Sequence, residues 1–111
     1  MRAWVTQLRK GLVEFCVMAA LRTGEAYGYQ IIQRLESAGS LAITESSVYP
    51  ILARLAEEGF VKVRAAPSPV GPPRRYYRLT AMGQARLREM ELHWRGVNAA
   101  IDGLLKEKAN G

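Results

Sequence analysis

The segment from Thr44 to Thr80 limits the possible folds of this chain more than any other segment. It opens with a predicted amphipathic helix that ends at Gly59, and its apolar residues recur every three or four positions, at Val48, Ile51, Leu52 and Leu55. A short apolar strand, a proline-rich basic loop and a second strand, Arg-Tyr-Tyr-Arg-Leu-Thr, follow. A helix followed by a basic hairpin is typical of a winged helix-turn-helix, in which the hairpin forms the wing.

The start of this helix depends on Thr44 and Pro50. Thr44 is the expected N-cap, because a threonine hydroxyl accepts a hydrogen bond from one of the first free amides of a helix. Pro50 removes a backbone hydrogen bond in a helix interior but costs much less in the first turns. The sequence therefore predicts a helix that begins close to Ser46 or Ser47.

Two earlier helices are predicted from the same apolar periodicity. The first runs from Gln7 to Leu21 and stops at Thr23-Gly24. Its apolar row is Leu8, Leu12, Phe15, Cys16 and Ala19. The second runs from about Ala26 to Ala38, with Gly39 as its C-terminal stop, and residues 40–43 form a candidate brief strand.

The wing is predicted as strands over 60–63 and 76–79, joined by a loop over 67–73. Because side chains alternate between the two faces of a strand, one of Tyr76 and Tyr77 is expected in the core and the other outside it. The periodicity alone does not distinguish them.

Positive charge is concentrated on this predicted wing. The chain carries +6 overall, and residues 60–79 alone sum to +5 without any Asp or Glu. The cations of that stretch are Lys62, Arg64, Arg74, Arg75 and Arg78. Because phosphate neutralisation and counterion release supply much of the affinity for a nucleic acid, this distribution favours a polyanionic partner.

The composition argues against several classes of protein. Cys16 is the only cysteine, which excludes an intrachain disulfide framework and a multi-cysteine zinc site. His93 is the only histidine, and the sequence has no phosphate-binding glycine motif, so we expect no enzyme, no metal and no cofactor. Glu14 interrupts the apolar stretch from Gly11 to Leu21, which argues against a secretory signal. We expect a cytoplasmic protein without a membrane span.

The last part of the chain carries an apolar seam. From Leu87 onward the spacing of its apolar residues is 3, 4, 3, 4, 3, at Leu87, Met90, Trp94, Val97, Ile101 and Leu104. This is the pattern by which one helix packs along another. A chain of 111 residues has little unused core surface for so long a helix, so the seam predicts a homodimer interface. The alternative is that the helix folds back on its own domain.

These patterns predict a mainly α fold with a small β-hairpin. The expected organisation is a winged helix-turn-helix over residues 1–80 and a long C-terminal dimerisation helix over residues 81–111.

The same residues resemble the PadR-like family of transcriptional regulators. The similar strings are Gln7-Leu8-Arg9-Lys10-Gly11, Tyr27-Gly28-Tyr29, Thr44-Glu45-Ser46-Ser47-Val48-Tyr49-Pro50, Leu55-Ala56-Glu57-Glu58-Gly59 and Gly71-Pro72-Pro73-Arg74-Arg75-Tyr76-Tyr77-Arg78-Leu79-Thr80. The length is similar to that of the short subgroup, whose C-terminal part is one dimerisation helix. The resemblance implies binding to a palindromic operator in double-stranded DNA, with repression as the expected outcome.

In a winged helix, the N-terminal residues of the third helix lie nearest the base edges. The residues expected to face DNA there are Thr44, Ser46, Ser47 and Tyr49; for Thr44, a capping role alone is the alternative. Because this helix is net negative, the electrostatic affinity is expected from the wing and the first helix. Arg74 and Arg75 are the predicted wing contacts, and Lys10 is the predicted contact of the first helix.

Trp94 is the candidate ligand-binding residue, with Val97 and Ile101 as apolar neighbours. The chain resembles drug-sensing PadR-like regulators at this point, which implies a small aromatic effector held between the two tryptophan rings of a dimer. The alternative is that Trp94 only fills the interface, where aromatic residues are common. A second alternative concerns the whole protein: a winged helix used for protein contact, with a merely solvated wing.

Overall fold

Four helices and a three-stranded sheet make up the part of the chain that the computed structural model describes, residues 2–39 and 43–108. Within α1 it describes the side chains of residues 4, 7, 8 and those from 10 onward. The elements are α1 (Arg2–Ala20), β1 (Ala26–Tyr27), α2 (Gly28–Ser37), α3 (Glu45–Glu57), β2 (Val61–Ala66), β3 (Arg74–Leu79) and α4 (Ala81–Lys106). The predicted fold class, mainly α with a wing and a long final helix, is confirmed.

The core lies between α1, α2, α3 and the inner face of the sheet. Its largest fully buried side chains are Met18, Leu21, Ile31, Leu52, Leu55, Val17 and Val48. On α1 the core face is therefore only in part the predicted apolar row: Phe15 and Cys16 pack against the core, whereas Leu8 and Ala19 are exposed. Both sets of residues recur at helical spacing, so periodicity alone could not show which of them would meet the core.

The sequence misplaced the start of α2. Ala26 and Tyr27, predicted as its first turn, form β1 and pair antiparallel with Tyr77 and Tyr76 of β3. The helix begins only at Gly28 and ends at Ser37, before Gly39. Because β1 pairs with residues some fifty positions away, its two residues carry no local strand pattern, and the sequence predicted a two-stranded wing where there are three strands.

α3 starts earlier than predicted. Thr44 is its N-cap and Glu45 its first residue, so Pro50 lies inside the helix rather than in its first turn. Pro50 is exposed, which allows its ring to be accommodated on the solvent side. The helix ends as predicted before Gly59, where the Phe60 amide donates to the Leu55 carbonyl and the Gly59 amide to that of Ala56.

The sheet has the order β1-β3-β2, with β3 in the centre. Both wing strands are longer than predicted, and Val63 lies opposite Tyr77. Tyr77 is buried and Tyr76 is half-buried, which decides the question that the alternation left open. Of the candidate strand at residues 40–43, residues 40–42 lie outside the described residues, and Ile43 is part of the core.

The start of α4 is held against the rest of the domain by hydrogen bonds and close backbone packing. The Thr80 hydroxyl donates to the Gly59 carbonyl at 2.6 Å and accepts from the Gly83 amide at 3.0 Å. A Cβ on Gly83 would lie 2.0 Å from the Phe60 carbonyl oxygen, so the helix backbone passes directly over the start of the wing. The first turns of α4 are therefore part of the domain that precedes them.

The apolar seam of α4 is divided between two environments. Leu87, predicted at the dimer interface, is only 6% exposed and lies in the core of its own chain, with Met90 packed against it. From Trp94 onward the seam is exposed. The heptad pattern is continuous across this division, so the spacing could not show where packing within the chain ends. No described helix is long and apolar enough to cross a lipid bilayer.

Candidate nucleic-acid interface

An open groove lies between the wing, the start of α2 and α3. Three predicted DNA-contacting residues line it: Tyr49 from α3, and Arg74 and Arg75 from the start of β3. Tyr27, Gly28, Tyr29, Tyr77 and residues of the proline-rich loop complete its wall. The groove thus combines two guanidinium groups with tyrosine rings, which suits a phosphate backbone and stacked or polar groups beside it.

The groove exists because β1 is short. β1 pairs only with Tyr76 and Tyr77, so the edge of β3 at Arg74 and Arg75 has no strand beside it on that side, among the described residues. Neighbouring side chains of a strand point to opposite faces, yet at such a free edge both can border the same open space. Both arginines line the groove.

The cations of the wing are not equally available to a ligand. Arg64 donates twice to the Glu25 carboxylate, from Nη2 at 2.7 Å and Nε at 2.8 Å, and its guanidinium lies 4.7 Å from the centre of the Tyr76 ring. This bond to Arg64, more than any other contact, lowers the pKa of Glu25 below its ordinary value. Although residues 60–79 contain no Asp or Glu, the fold places Glu25 beside Arg64, and the positive charge of Arg64 is largely neutralised.

Tyr49 owes its position to Gly28. A Cβ on Gly28 would lie 2.6 Å from Tyr49 Cε1 and from its hydroxyl oxygen, so the ring packs against a bare backbone at the start of α2. Tyr49 nevertheless remains 43% exposed. Burial, followed by the nearby Glu45, raises the pKa of its hydroxyl, so the hydroxyl stays a proton donor at neutral pH.

The other predicted contacts of α3 lie outside the groove, at the helix N-terminus. Thr44 Oγ1 is 2.9 Å from Ser46 Oγ and 3.4 Å from Ser47 Oγ. Within the described part of the chain, the Thr44 hydroxyl bonds to these serines and not to a helix amide. Thr44 is thus the N-cap by its backbone, and three adjacent hydroxyls are presented at one helix end.

The only cation of α3 is already paired. Arg54 contacts Glu14 of α1 at 2.6 Å and Glu58 at 3.1 Å, and the bond to Glu14 is the main cause of the raised pKa of Arg54. Arg86 of α4 is 4.0 Å from the same Glu14. These ion pairs tie α3 to α1 and α4, and they leave the wing as the main source of free positive charge near the groove.

Lys10 and Cys16 both belong to α1. Lys10 is exposed and does not line the groove, so its predicted contact with DNA is not brought together with the others. Cys16 is half-buried, and burial raises the pKa of its thiol, which disfavours a reactive thiolate. Among the described residues, no cluster of three His, Cys, Asp or Glu side chains could hold a metal ion.

A second, apolar groove lies between α1 and α4. Two of the three predicted ligand-binding residues, Trp94 and Val97, line it, and Ile101 does not. Its other wall was not predicted as part of a ligand site: it consists of Leu8, Leu12 and Phe15, which belong to the predicted apolar row of the first helix. The Phe15 and Trp94 rings are 6.3 Å apart and tilted by 57°. The groove measures about 450 Å³, within the usual range for small-molecule sites.

Comparison with known proteins supports the same fold and class. Residues 17–89 match the transcriptional regulator PadR-like family. The crystal structure of a PadR-like transcriptional regulator from Bacillus cereus is 31% identical, with a TM-score of 0.81 over 92% of this chain and 99% of that one. A PadR family regulator from Eggerthella lenta is also 31% identical, with a TM-score of 0.84 over 96% and 93%.

The structure of Bacillus subtilis PadR in complex with operator DNA is a more distant likeness. It is 22% identical, with a TM-score of 0.63 over 90% of this chain and 50% of that one, and at this identity it shows the fold alone. The family match covers most of the chain, and the two nearer structures extend it through α4. This chain therefore belongs to the PadR-like family of transcriptional regulators.

Proposed function

We propose that this protein is a homodimeric repressor that binds a palindromic operator in double-stranded DNA. The observation that carries the proposal is the groove in which Tyr49, Arg74 and Arg75 converge beside the N-terminus of α3. In this arrangement the α3 hydroxyls and Tyr49 face base edges, while Arg74 and Arg75 contact phosphates or the minor groove. The operator complex of Bacillus subtilis PadR supports the assignment of DNA as the partner.

The dimer is proposed from the far part of α4. Residues 1–80 would bind DNA, and within residues 81–111 the exposed seam from Trp94 to Leu104 would meet the same seam of a second chain. Leu87 is left out of this interface because its own core buries it. A twofold axis through α4 would also relate the two α3 helices, as a palindromic operator requires. Such a regulator would act in the cytoplasm.

A small aromatic effector is the remaining part of the proposal. The apolar groove beside Trp94 is open and borders the exposed seam of α4, so a second chain packed on that seam would cover it and enclose a flat ring near Phe15 and Val97. A ligand there would change how the two helices pack. Since the operator half-sites are about 34–36 Å apart or a multiple of that, a small change in the separation of the α3 helices would weaken binding.

Selection of bound sites from a pool of random duplexes tests DNA binding and dimerism together. We expect enrichment of an inverted repeat, with steep salt dependence of the affinity. Failure to retain any duplex in dilute buffer would instead favour the second candidate function, a winged-helix module for protein contact. Retention on heparin alone does not distinguish them, because any basic wing binds a polyanion.

The effector is tested by fluorescence titration with planar cationic and phenolic compounds. Trp4 is the second tryptophan and is exposed, so Trp94→Phe is the matched control that removes only the signal of interest. We expect quenching in the wild type that is lost in Trp94→Phe. Equal quenching in both proteins would assign the signal to Trp4 and leave Trp94 as an interface residue.

A further inference from the structure

A row of stacked side chains crosses the outer face of the sheet. It starts at the Glu25 carboxylate, which holds Arg64; Arg64 lies 4.7 Å from the centre of the Tyr76 ring. The Tyr76 and Tyr27 rings meet edge to face with centres 5.6 Å apart, and the Arg74 guanidinium lies 4.4 Å from the centre of Tyr27. We call these five residues the wing stack.

The strand register explains why the wing stack forms. Tyr27 of β1, Tyr76 of β3 and Arg64 of β2 are direct cross-strand partners, so their side chains form one row on the same face. Arg74 precedes Tyr76 by two residues and lies on that face as well. Because β1 ends at Ala26–Tyr27, the Tyr27 ring is the last group beside the free edge of β3.

We propose that Tyr27 is a positioning residue for DNA binding, whose ring holds the Arg74 guanidinium at the groove before DNA arrives. The inference rests on the proposed function, and it goes beyond it by assigning a role to a residue of β1. A free arginine side chain has many rotamers, and fixing one of them on binding costs conformational entropy. A ring 4.4 Å from the guanidinium restricts those rotamers in the free protein and leaves the N–H donors at the guanidinium edge available to phosphate.

The other end of the wing stack has a different role. Glu25 neutralises Arg64, and Arg64 in turn caps the Tyr76 ring. The stack therefore has a cation on each of its two rings, but only the cation at the groove lacks a carboxylate partner in the described part of the chain. Arg64 serves to hold the rings, and Arg74 serves to bind.

A double-mutant cycle tests the proposal. In the otherwise wild-type protein, Tyr27→Leu should weaken operator binding by about two- to fivefold per protomer, the range expected for one cation–π contact. In an Arg74→Ala background the same Tyr27→Leu change should have no further effect, because the ring then has nothing to hold. Tyr27→Phe keeps the ring and should bind DNA like the wild type.

The salt dependence separates positioning from direct contact. Arg74→Ala should lower the slope of log affinity against log salt by about 0.9 per protomer, whereas Tyr27→Leu should leave the slope unchanged because Arg74 still reaches the phosphate. A general defect of folding would weaken binding equally in both backgrounds. A Tyr27→Leu effect of equal size in the wild-type and Arg74→Ala proteins would therefore overturn the proposal.

A measurement without DNA keeps this test independent of the proposed function. In the NMR spectrum of the free protein, the Arg74 side-chain protons should be shifted upfield by the ring current of Tyr27, and Tyr27→Phe should keep that shift. Arg74 protons at the positions of a free arginine in the wild type would overturn the positioning role. If the shift is present but no duplex is bound, the proposed function fails and the packing of the wing stack stands.

Discussion

The wing and the far half of α4 both extend away from the core, but they differ in the contacts that their side chains make within the chain. In the wing, two of the cations have partners inside the chain: Arg64 pairs with Glu25, and Arg74 lies against the Tyr27 ring. In the far half of α4, residues 92–106, apolar side chains are left exposed, from Trp94 at 40% to Leu105 at 78%. These wing cations are therefore held by groups of the same chain, whereas the apolar side chains of α4 remain exposed to solvent.

The difference has a physical reason. Charged groups of the wing remain hydrated in the free protein and can be ordered by ion pairs and rings of the same chain until a polyanion displaces the water. Exposure of apolar groups to water is unfavourable, and a contiguous exposed row of them marks an interaction surface. We therefore expect variants of α4 to act on assembly and variants of the wing to act on DNA binding alone.

The largest effect is expected at the exposed apolar seam of α4. Ile101→Glu puts a charge into the proposed interface, where an unpaired charge is costly to bury, and should weaken dimerisation by about 100-fold or more. Sedimentation at micromolar concentration should then show a folded monomer that has lost high-affinity operator binding. The matched control is Leu92→Glu, because position 92 is nine residues away, on the opposite side of the helix, and Leu92 is 72% exposed. An Ile101→Glu protein that still sediments as a dimer would contradict the assigned interface.

Next in size is the difference between two wing arginines. Arg75 is exposed in the groove, so Arg75→Ala should lower the salt slope of a dimer by about 1.8, from one phosphate contact per protomer. Arg64 is held by Glu25, so Arg64→Ala should leave the slope nearly unchanged. Both slopes come from binding isotherms at several salt concentrations. Equal losses from the two variants would show that the pairing with Glu25 does not survive in the complex.

A smaller effect is expected where α2 meets α3. Gly28→Ala places a methyl group on the Tyr49 ring, and because that ring is partly exposed it can swing away without disrupting the core. We expect a folded protein whose operator affinity falls about fivefold per protomer, the equivalent of one lost hydrogen bond. Tyr49→Phe is the control, since it removes the hydroxyl and leaves the ring in place. Unchanged operator affinity in Gly28→Ala would remove Tyr49 from the interface.

The smallest effect concerns the pH dependence of stability. Arg64 lowers the pKa of Glu25 in the folded state below its ordinary value of 4.5, so the ion pair stabilises the fold above pH 4.5. This contribution should be lost as the pH falls below 4.5 and through the lowered pKa, where the folded-state carboxylate becomes protonated. The Tm difference between wild type and Glu25→Gln, measured by thermal unfolding, should therefore be constant from pH 7 to 5 and decline below 4.5. Because the pair is exposed, the difference should be small throughout. A difference that grows at low pH would have the wrong sign for this pair.

The helices and the wing could be predicted because their signals are local. Apolar spacing, Gly59 and the loop prolines each act within a few residues of their own position, and these predictions were confirmed with shifted boundaries. β1 was missed because two residues carry no periodicity and become a strand only by pairing with Tyr76 and Tyr77. The core face of α1 was only partly predicted because that helix has two apolar rows, one facing the core and one facing α4.

The sequence by itself determined the fold class, the position of the wing, the sign of its charge and the existence of an apolar seam. These properties follow from the order of residue types along the chain, since local propensity, helical or strand period and charge need no distant partner. Only the tertiary structure decided which charged side chains lack an ion-pair partner and at which residue the seam stops packing against the core of its own chain. Glu25 and Arg64 are 39 positions apart, and Leu87 and Trp94 belong to the same seam, yet Leu87 is buried by the rest of the chain and Trp94 is exposed. Whether a side chain is available to bind a partner is therefore a property of the folded surface, because it depends on the contacts that this side chain already makes within its own chain.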